Sequence, residues 1–348
     1  MVKSSVLVLV SRLYSSFSWM SGVRRVLITR QVSVKALDIM RGPILGCESL
    51  DIDLIDSDEP PSRDVLLKRV AGKHGIYCLL TDRIDKELLD RAGKQLKVVS
   101  TMSVGYDHVD VQACKERGVV VGNTPGVLTD ATADLTVALL LATSRRLLEG
   151  VEAVKDGSWG PWQPLWMCGS GLRGSTVGIV GLGRIGQAVA ERIRPFGVST
   201  ILYTGRTAKQ EAKKLGAQFV TFHELLAKSD FVLACCALTE KTRETFNANA
   251  FHLMKPSAVF VNTSRGGVVN QDHLYDALSN GQIRAAGLDV TTPEPLPTDH
   301  PLLSLKNCVI LPHIGSAEMQ TREEMAMLAA RNLIAGVTDN NMPSPVHL

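Results

Sequence analysis

The stretch VGIVGLGRIGQAVAERI (177–193) constrains the fold more than any other. An apolar, strand-like run leads into Gly181, Gly183 and Gly186, spaced G-x-G-x-x-G, and a helical pattern follows. That context is what a phosphate-cradling strand–turn–helix needs. The first glycine permits the tight turn, the second lets backbone approach a pyrophosphate, and the third lets helix and strand pack closely. A pyrophosphate there meets free N–H groups at a helix N-terminus. The blander alternative is a glycine-rich turn that holds no ligand.

The next strand run ends in Tyr203-Thr204-Gly205-Arg206. In a site for NAD, an acidic side chain about twenty residues on accepts hydrogen bonds from the ribose 2′-hydroxyl. No acid stands here. A carboxylate would repel a 2′-phosphate, whereas Arg206 offers a permanently charged donor fork, with Lys209 nearby in sequence. NADPH is therefore the favoured cofactor and NADH the alternative, since specificity reflects removed repulsion as well as attraction. An unselective pocket with a solvated Arg206 is the competing reading.

Around this unit, short apolar runs alternate with helical patterns. RRVLIT (24–29), IDLID (52–56), GIYCLL (75–80), LKVVSTM (96–102) and VVVGN (119–123) read as strands, with helix caps at Ser62 and Asp85 between them. After Pro125-Gly126 comes the longest helical run, TDATADLTVALLLATSRRLLEGVEAVKDG. Its VALLLA segment is apolar nearly all round, which predicts burial between domains or subunits. GSWGPWQPLWMCGSGL (157–172) carries three of the four tryptophans among Gly and Pro and reads as a loop. A second alternation then runs through TILYTG, AQFV, FVLACCAL, AVFVNTS and AAGLDV, and a last helix is expected over 321–337. With 348 residues, the expectation is two α/β domains with parallel sheets.

A net charge of +3, 5% aromatics and the absence of a basic stripe leave no footprint for nucleic acid. Seven scattered cysteines without a CxxC pair suit reduced thiols better than a disulfide framework or a zinc site, so no metal is expected. Residues 1–23 are basic and free of acids, and the apolar run from Val6 to Val10 is too short to span a membrane. They read as a disordered leader on a cytoplasmic protein, with a mitochondrial transit peptide as the alternative.

Three further motifs place polar residues after strand runs. VFVNTSRGGVVN carries Arg265, LDVTTPEPLP carries Asp289 and Glu294, and VILPHIGSA carries His313. Open α/β sheets hold ligands at strand C-termini, where such side chains can converge. Taken singly, each has a duller reading as a surface ion pair, a satisfied core histidine or a turn cap.

At this point the chain resembles a known family, the D-isomer-specific 2-hydroxyacid dehydrogenases, and within it the branch that reduces glyoxylate and hydroxypyruvate. STMSVGYDH (100–108), GLGRIGQAVA (181–190), NTSRGGVVNQDHL (262–274), AAGLDVTTPEPLP (285–297) and LPHIGSA (311–317) carry the resemblance from about Val26 to the C-terminus. It implies a flavodoxin-like substrate domain (24–126 with 319–348) and a Rossmann cofactor domain (127–318), both doubly wound, with a cleft between them. It also implies that Arg265 clamps a small 2-keto acid, that His313 is the general acid, and that Glu294 favours the charged imidazolium. Val104 and Gly105 would receive the substrate carboxylate on backbone N–H groups, and Leu80 would narrow the site toward short acids. Trp162 or Trp159 would reach a site, either this subunit's own or that of a neighbouring subunit in a homodimer. Besides the three glycines, the cofactor contacts implied are Arg184, Ile185, Gly205, Arg206, Thr207, Ala237, Thr263, Arg265, Asp289 and Gly315; the roles of Thr263 and Ser264 stay open. Cys235-Cys236 departs from the family's small polar residue beside the adenine site. Two alternatives remain: an NAD-dependent relative acting on another acid, and a dinucleotide-sensing corepressor-like binding protein.

Overall fold

A computed structural model describes residues 22–347. Of the expected leader only Gly22 and Val23 are described; residues 1–21 and Leu348 lie outside the described residues. The chain forms two compact units. Among the described residues, one takes in those up to Val127 and those from Met319 onward, and the other runs Leu128–Glu318.

The first unit is a five-stranded parallel sheet of β1 (Arg24–Ile28), β2 (Leu50–Leu54), β3 (Gly75–Cys78), β4 (Val98–Thr101) and β5 (Val120–Gly122). Its order, β2-β1-β3-β4-β5, is that of flavodoxin-like sheets. Alternate residues serve opposite faces. Leu27, Ile76 and Val99 pack into one apolar cluster, and Val26, Ile28, Tyr77 and Val98 into another. Burying each such side chain contributes about 1.5–3 kcal/mol, and burial on both faces explains why these strands read as unbroken apolar runs. The helix Met319–Val337 covers the second cluster through Ala326, Ala329, Ala330 and Leu333. The Ser100 hydroxyl donates to the Ala329 carbonyl at 2.7 Å, which fixes the helix on the sheet.

The second unit holds β6 (Thr176–Val180), β7 (Thr200–Thr204), β8 (Ala217–Phe219), β9 (Phe231–Ala234), β10 (Val259–Asn262), β11 (Ala285–Leu288) and β12 (Cys308–Ile310). All are parallel, in the order β12-β11-β10-β9-β6-β7-β8. This is the Rossmann arrangement with one added strand. Strand order reverses at β6, whose neighbours are β7 and β9, and the glycine turn leaves from that point.

One expectation is corrected. The long helical run after Gly126 is two helices, Thr129–Ser144 and Leu147–Lys155. Arg146 adopts a left-handed φ of 57° and breaks the ladder, while its guanidinium holds Glu149 at 2.7 Å. Met319–Val337 is therefore the longest helix among the described residues. The first helix buries Ala133, Leu139 and Leu140 within its own unit.

No helix of the described residues is long and apolar enough to cross a membrane. All seven cysteines are free thiols. Among the described residues no group of three or more His, Cys, Asp or Glu side chains is placed to hold a metal ion.

Candidate active site

The glycine turn fits a dinucleotide pyrophosphate on its own geometry. Gly181 has φ +100°, and a Cβ there would lie 2.8 Å from the Cys236 backbone. A Cβ on Gly186 would lie 2.3 Å from the Gly181 carbonyl oxygen, so this close helix–strand approach excludes any side chain. Gly183 is the opposite case: it is exposed, and a Cβ there meets nothing within 4 Å. It caps the helix Arg184–Ile193 without a side-chain hydrogen bond, so no capping side chain occupies the first-turn N–H groups. Arg184 is exposed beside it and Ile185 half-buried.

The turn is tied to the end of β7, where the Gly181 N–H donates to the Thr204 carbonyl at 2.9 Å. Gly205 and Arg206 follow directly, so both stand beside the phosphate cradle. Gly205 borders open space, and the exposed Arg206 forms no ion pair with any described residue. Thr207 and Ala237 are also exposed. The Lys209 N–H is anchored on the Tyr203 hydroxyl at 2.8 Å. Cys235 and Cys236 belong to opposite faces of the sheet, each half-buried against a different cluster. Burial pushes their thiols up to about 12 and about 11, so neither is an activated nucleophile at neutral pH.

A polar cluster forms at the C-terminal ends of β10, β11 and β12. His313 Nδ1 lies 2.7 Å from Glu294 Oε2. The other Glu294 oxygen accepts the Thr291 N–H at 3.0 Å. Burial alone would raise the Glu294 carboxyl. The hydrogen bond and charge of His313, the Thr291 N–H and the charge of Arg265 outweigh it and hold the group below its ordinary value.

Asp289 is buried and fixes the loop that carries the histidine. Its two carboxylate oxygens accept the N–H groups of Ile314 and Gly315, both at 2.8 Å, and its carbonyl accepts the His313 N–H at 2.8 Å. These bonds hold His313 at a φ of 55°, in the left-handed region. Burial, set against these donors and the charge of His313, raises the Asp289 carboxyl overall.

Arg265 follows β10, and its carbonyl accepts from the Asn262 side chain at 2.9 Å. The next residue explains the glycine pair. A Cβ on Gly266 would fall 1.9 Å from the Thr291 carbonyl oxygen, so the arginine segment forms the floor of the turn bearing Glu294. Ser264 donates to Asn262 at 2.8 Å. The Thr263 hydroxyl turns inward to Thr136 at 2.7 Å. Because Thr136 donates its own proton to the Thr132 carbonyl, Thr263 is the donor in that pair.

In the first unit Val104 and Gly105 are half-buried. The Val104 carbonyl accepts from the Asn123 amide at 2.8 Å, and the Gly105 carbonyl accepts from the Ser103 hydroxyl at 2.6 Å. Neither N–H of this pair donates to a described residue. Half-buried N–H groups lacking acceptors suit an anion. Leu80 is half-buried just after β3, and the buried Asp82 shapes its turn by accepting the Leu79 N–H at 2.8 Å. Trp162 is 85% exposed, in a loop of turns without regular structure.

Asp82, Asn123, Thr291 and Gln271 are supports that the motifs did not single out. Each does so through a hydrogen bond that has a backbone group as donor or acceptor, which leaves no pattern in side-chain type. A cavity of about 380 Å³ lies at the N-terminal ends of β11 and β12, lined by Thr143, Arg146, Cys168, Arg284 and Lys306. It opens away from the strand ends that carry this cluster.

The family described as "D-isomer specific 2-hydroxyacid dehydrogenase, NAD binding domain" matches residues 137–315. A human glyoxylate reductase/hydroxypyruvate reductase is 54% identical over 325 residues, covering 93% of this chain and 98% of that protein. Its mouse counterpart is 56% identical, covering 88% and 94%. Among solved structures, a protein from Thermus thermophilus superposes with a TM-score of 0.85 at 46% identity, covering 93% of this chain and all of that one. An NADPH-dependent glyoxylate/hydroxypyruvate reductase from Sinorhizobium meliloti, solved with NADP and malonate, gives 0.78 at 33%, covering 93% and 96%. A glycine cradle at the reversal point of a Rossmann sheet, a histidine–carboxylate pair at its strand ends and relatives matched over nearly their whole length converge on one assignment: the chain belongs to the D-isomer specific 2-hydroxyacid dehydrogenases, enzymes that work with a nicotinamide dinucleotide.

Proposed function

We propose that this enzyme reduces glyoxylate to glycolate and hydroxypyruvate to D-glycerate, with NADPH preferred over NADH. The observation that carries the reading is the His313–Glu294 pair. With Nδ1 at 2.7 Å from the carboxylate, Nε2 is left to hold the proton that a keto oxygen needs. Glu294, held ionised, keeps that imidazole oriented.

Arg265 presents a planar cation to the carboxylate and keto oxygen of the acid. The N–H groups of Val104 and Gly105 receive the carboxylate, and Leu80 limits the length of the acid. Gly181, Gly183, Arg184, Ile185 and Gly186 cradle the pyrophosphate, with Thr207, Ala237, Thr263, Asp289 and Gly315 as further contacts. Bound there, the dinucleotide supplies the hydride. Arg206, beside an open Gly205 and with no acid in Tyr203-Thr204-Gly205-Arg206, binds the 2′-phosphate.

The enzyme works as a homodimer. Leu147, Val151 and Val154 stand exposed along one helix, and Trp159, Trp162 and Leu165 follow in the next loop, an apolar surface that a second copy covers. Trp162 belongs to that surface and reaches toward the neighbouring subunit's substrate.

Initial rates of NADPH and NADH oxidation with each acid test the reading. Turnover of hydroxypyruvate and glyoxylate at a higher kcat/KM for NADPH supports it. Equal use of both dinucleotides removes the cofactor preference, and no turnover of either acid removes the substrate assignment.

A further inference from the structure

We infer that Gln271 is a positioning residue for the proton-donating pair, acting through the backbone of the turn that bears Glu294. The inference rests on the reading of His313 and Glu294 given above. Gln271 opens the helix Gln271–Ser279, whose N-cap, Asn270, accepts the His273 N–H at 3.0 Å. The capping task is therefore met by Asn270, and the Gln271 side chain is free to reach outward.

It reaches Thr292. Gln271 Nε2 donates to the Thr292 carbonyl at 2.7 Å, and Gln271 Oε1 accepts the Thr292 N–H at 2.7 Å. A side-chain amide thus pairs with both polar groups of one residue, as a neighbouring strand would. On one side of Thr292, the Thr291 N–H holds Glu294 Oε1 and the Thr291 hydroxyl holds the Pro293 carbonyl at 2.8 Å. On the other, Glu294 Oε2 meets His313. Gly266, next to Arg265, forms the floor of this turn. Gln271 therefore ties the segment carrying the substrate-clamping arginine to the turn carrying the carboxylate, and it sets the spacing between them.

Glutamine suits the task for a physical reason. Pairing with an N–H and a C=O of the same residue needs one donor and one acceptor at amide spacing, which a carboxylate or an alkyl chain does not provide. Without it the Thr292 N–H and carbonyl lose their partners, the turn relaxes, and Glu294 no longer holds the imidazole in one orientation. Small displacements of a catalytic group cost turnover more than binding, on the order of tenfold or more.

The test compares Gln271→Met, which keeps the side-chain length and removes both hydrogen bonds to Thr292 together with a longer contact to His300 Nε2 at 3.4 Å, with Leu274→Val. The latter loosens the buried face of the same helix without touching the turn. We expect Gln271→Met to lower kcat roughly tenfold, to change KM for hydroxypyruvate less than about twofold, and to displace the alkaline limb of the kcat–pH profile. Leu274→Val lowers the melting temperature and leaves kcat per folded enzyme and the pH profile as in the parent. A Gln271→Met enzyme with parental kcat and pH profile per folded molecule, or one altered in melting temperature or KM alone, overturns the inference. His313→Ala is assayed alongside. If it loses turnover while Gln271→Met is normal, only the positioning role falls. If it keeps turnover, the proton-donor reading fails and takes this inference with it.

Discussion

His313 Nδ1 and Glu294 Oε2 lie 2.7 Å apart, with the histidine on the loop after β12 and the glutamate on the turn after β11. The contact sets the chemistry of both groups: the carboxylate is held ionised, and the imidazole is left with one nitrogen to present. Glu294→Gln keeps the shape and removes the charge. It is expected to lower kcat by about ten- to a hundredfold, because the imidazole has lost the carboxylate that orients it. Steady-state rates with hydroxypyruvate measure the effect.

The same pair gives a pH dependence of stability with a definite sign. The Glu294 carboxyl is held below its ordinary 4.5 in the folded protein. Its stabilising contribution is therefore complete above 4.5 and disappears as pH falls through the depressed value. The melting-temperature gap between parent and Glu294→Gln should be largest above that point and close in acid. Asp289 runs the other way. Its carboxyl is raised above 3.8, so its favourable contribution belongs to low pH and is lost as pH rises through the raised value. The Asp289→Asn gap should accordingly shift in favour of the variant as pH rises over that interval.

Arg206 stands beside the phosphate cradle with no described ion-pair partner to occupy it. Arg206→Ala should raise KM for NADPH by roughly ten- to a hundredfold, the usual worth of a charge-assisted hydrogen bond, and leave KM for NADH nearly unchanged. Kinetics with the two dinucleotides at fixed hydroxypyruvate read this directly.

The exposed apolar face should behave as an interface. Val151 and Val154 are three residues apart on one helix and share a side of it. The double substitution Val151→Glu, Val154→Glu should convert a dimer to a monomer in sedimentation velocity, since two carboxylates would be buried without partners.

How much of this was legible from the residues follows from where the information sits. Strands buried on both faces, such as Phe231–Ala234 and Val259–Asn262, declare themselves as apolar runs. The glycine turn does so through three positions where a side chain is excluded or open space is left. The strand ends that carry Arg265, Asp289 and His313 were legible for the same reason, because these residues follow closely on such runs. The break at Arg146 was not. Arg145-Arg146-Leu147-Leu148 has no glycine or proline, and the left-handed residue is held by a local guanidinium–carboxylate pair that helical periodicity does not encode. Gln271 was not legible, and neither was the hold of Asp289 on the Ile314 and Gly315 N–H groups, because each acts by bonding backbone groups distant in sequence. The inward turn of the Thr263 hydroxyl depends on a helix 127 residues away.

The most direct measurement of the central claim is hydroxypyruvate reduction by His313→Ala with NADPH, together with the affinity of that variant for NADPH by fluorescence. The account predicts that turnover falls by about a hundredfold or more, while NADPH affinity stays near that of the parent. Turnover close to the parent value would contradict it, because the proton would then have to come from a group other than the one that Glu294 orients.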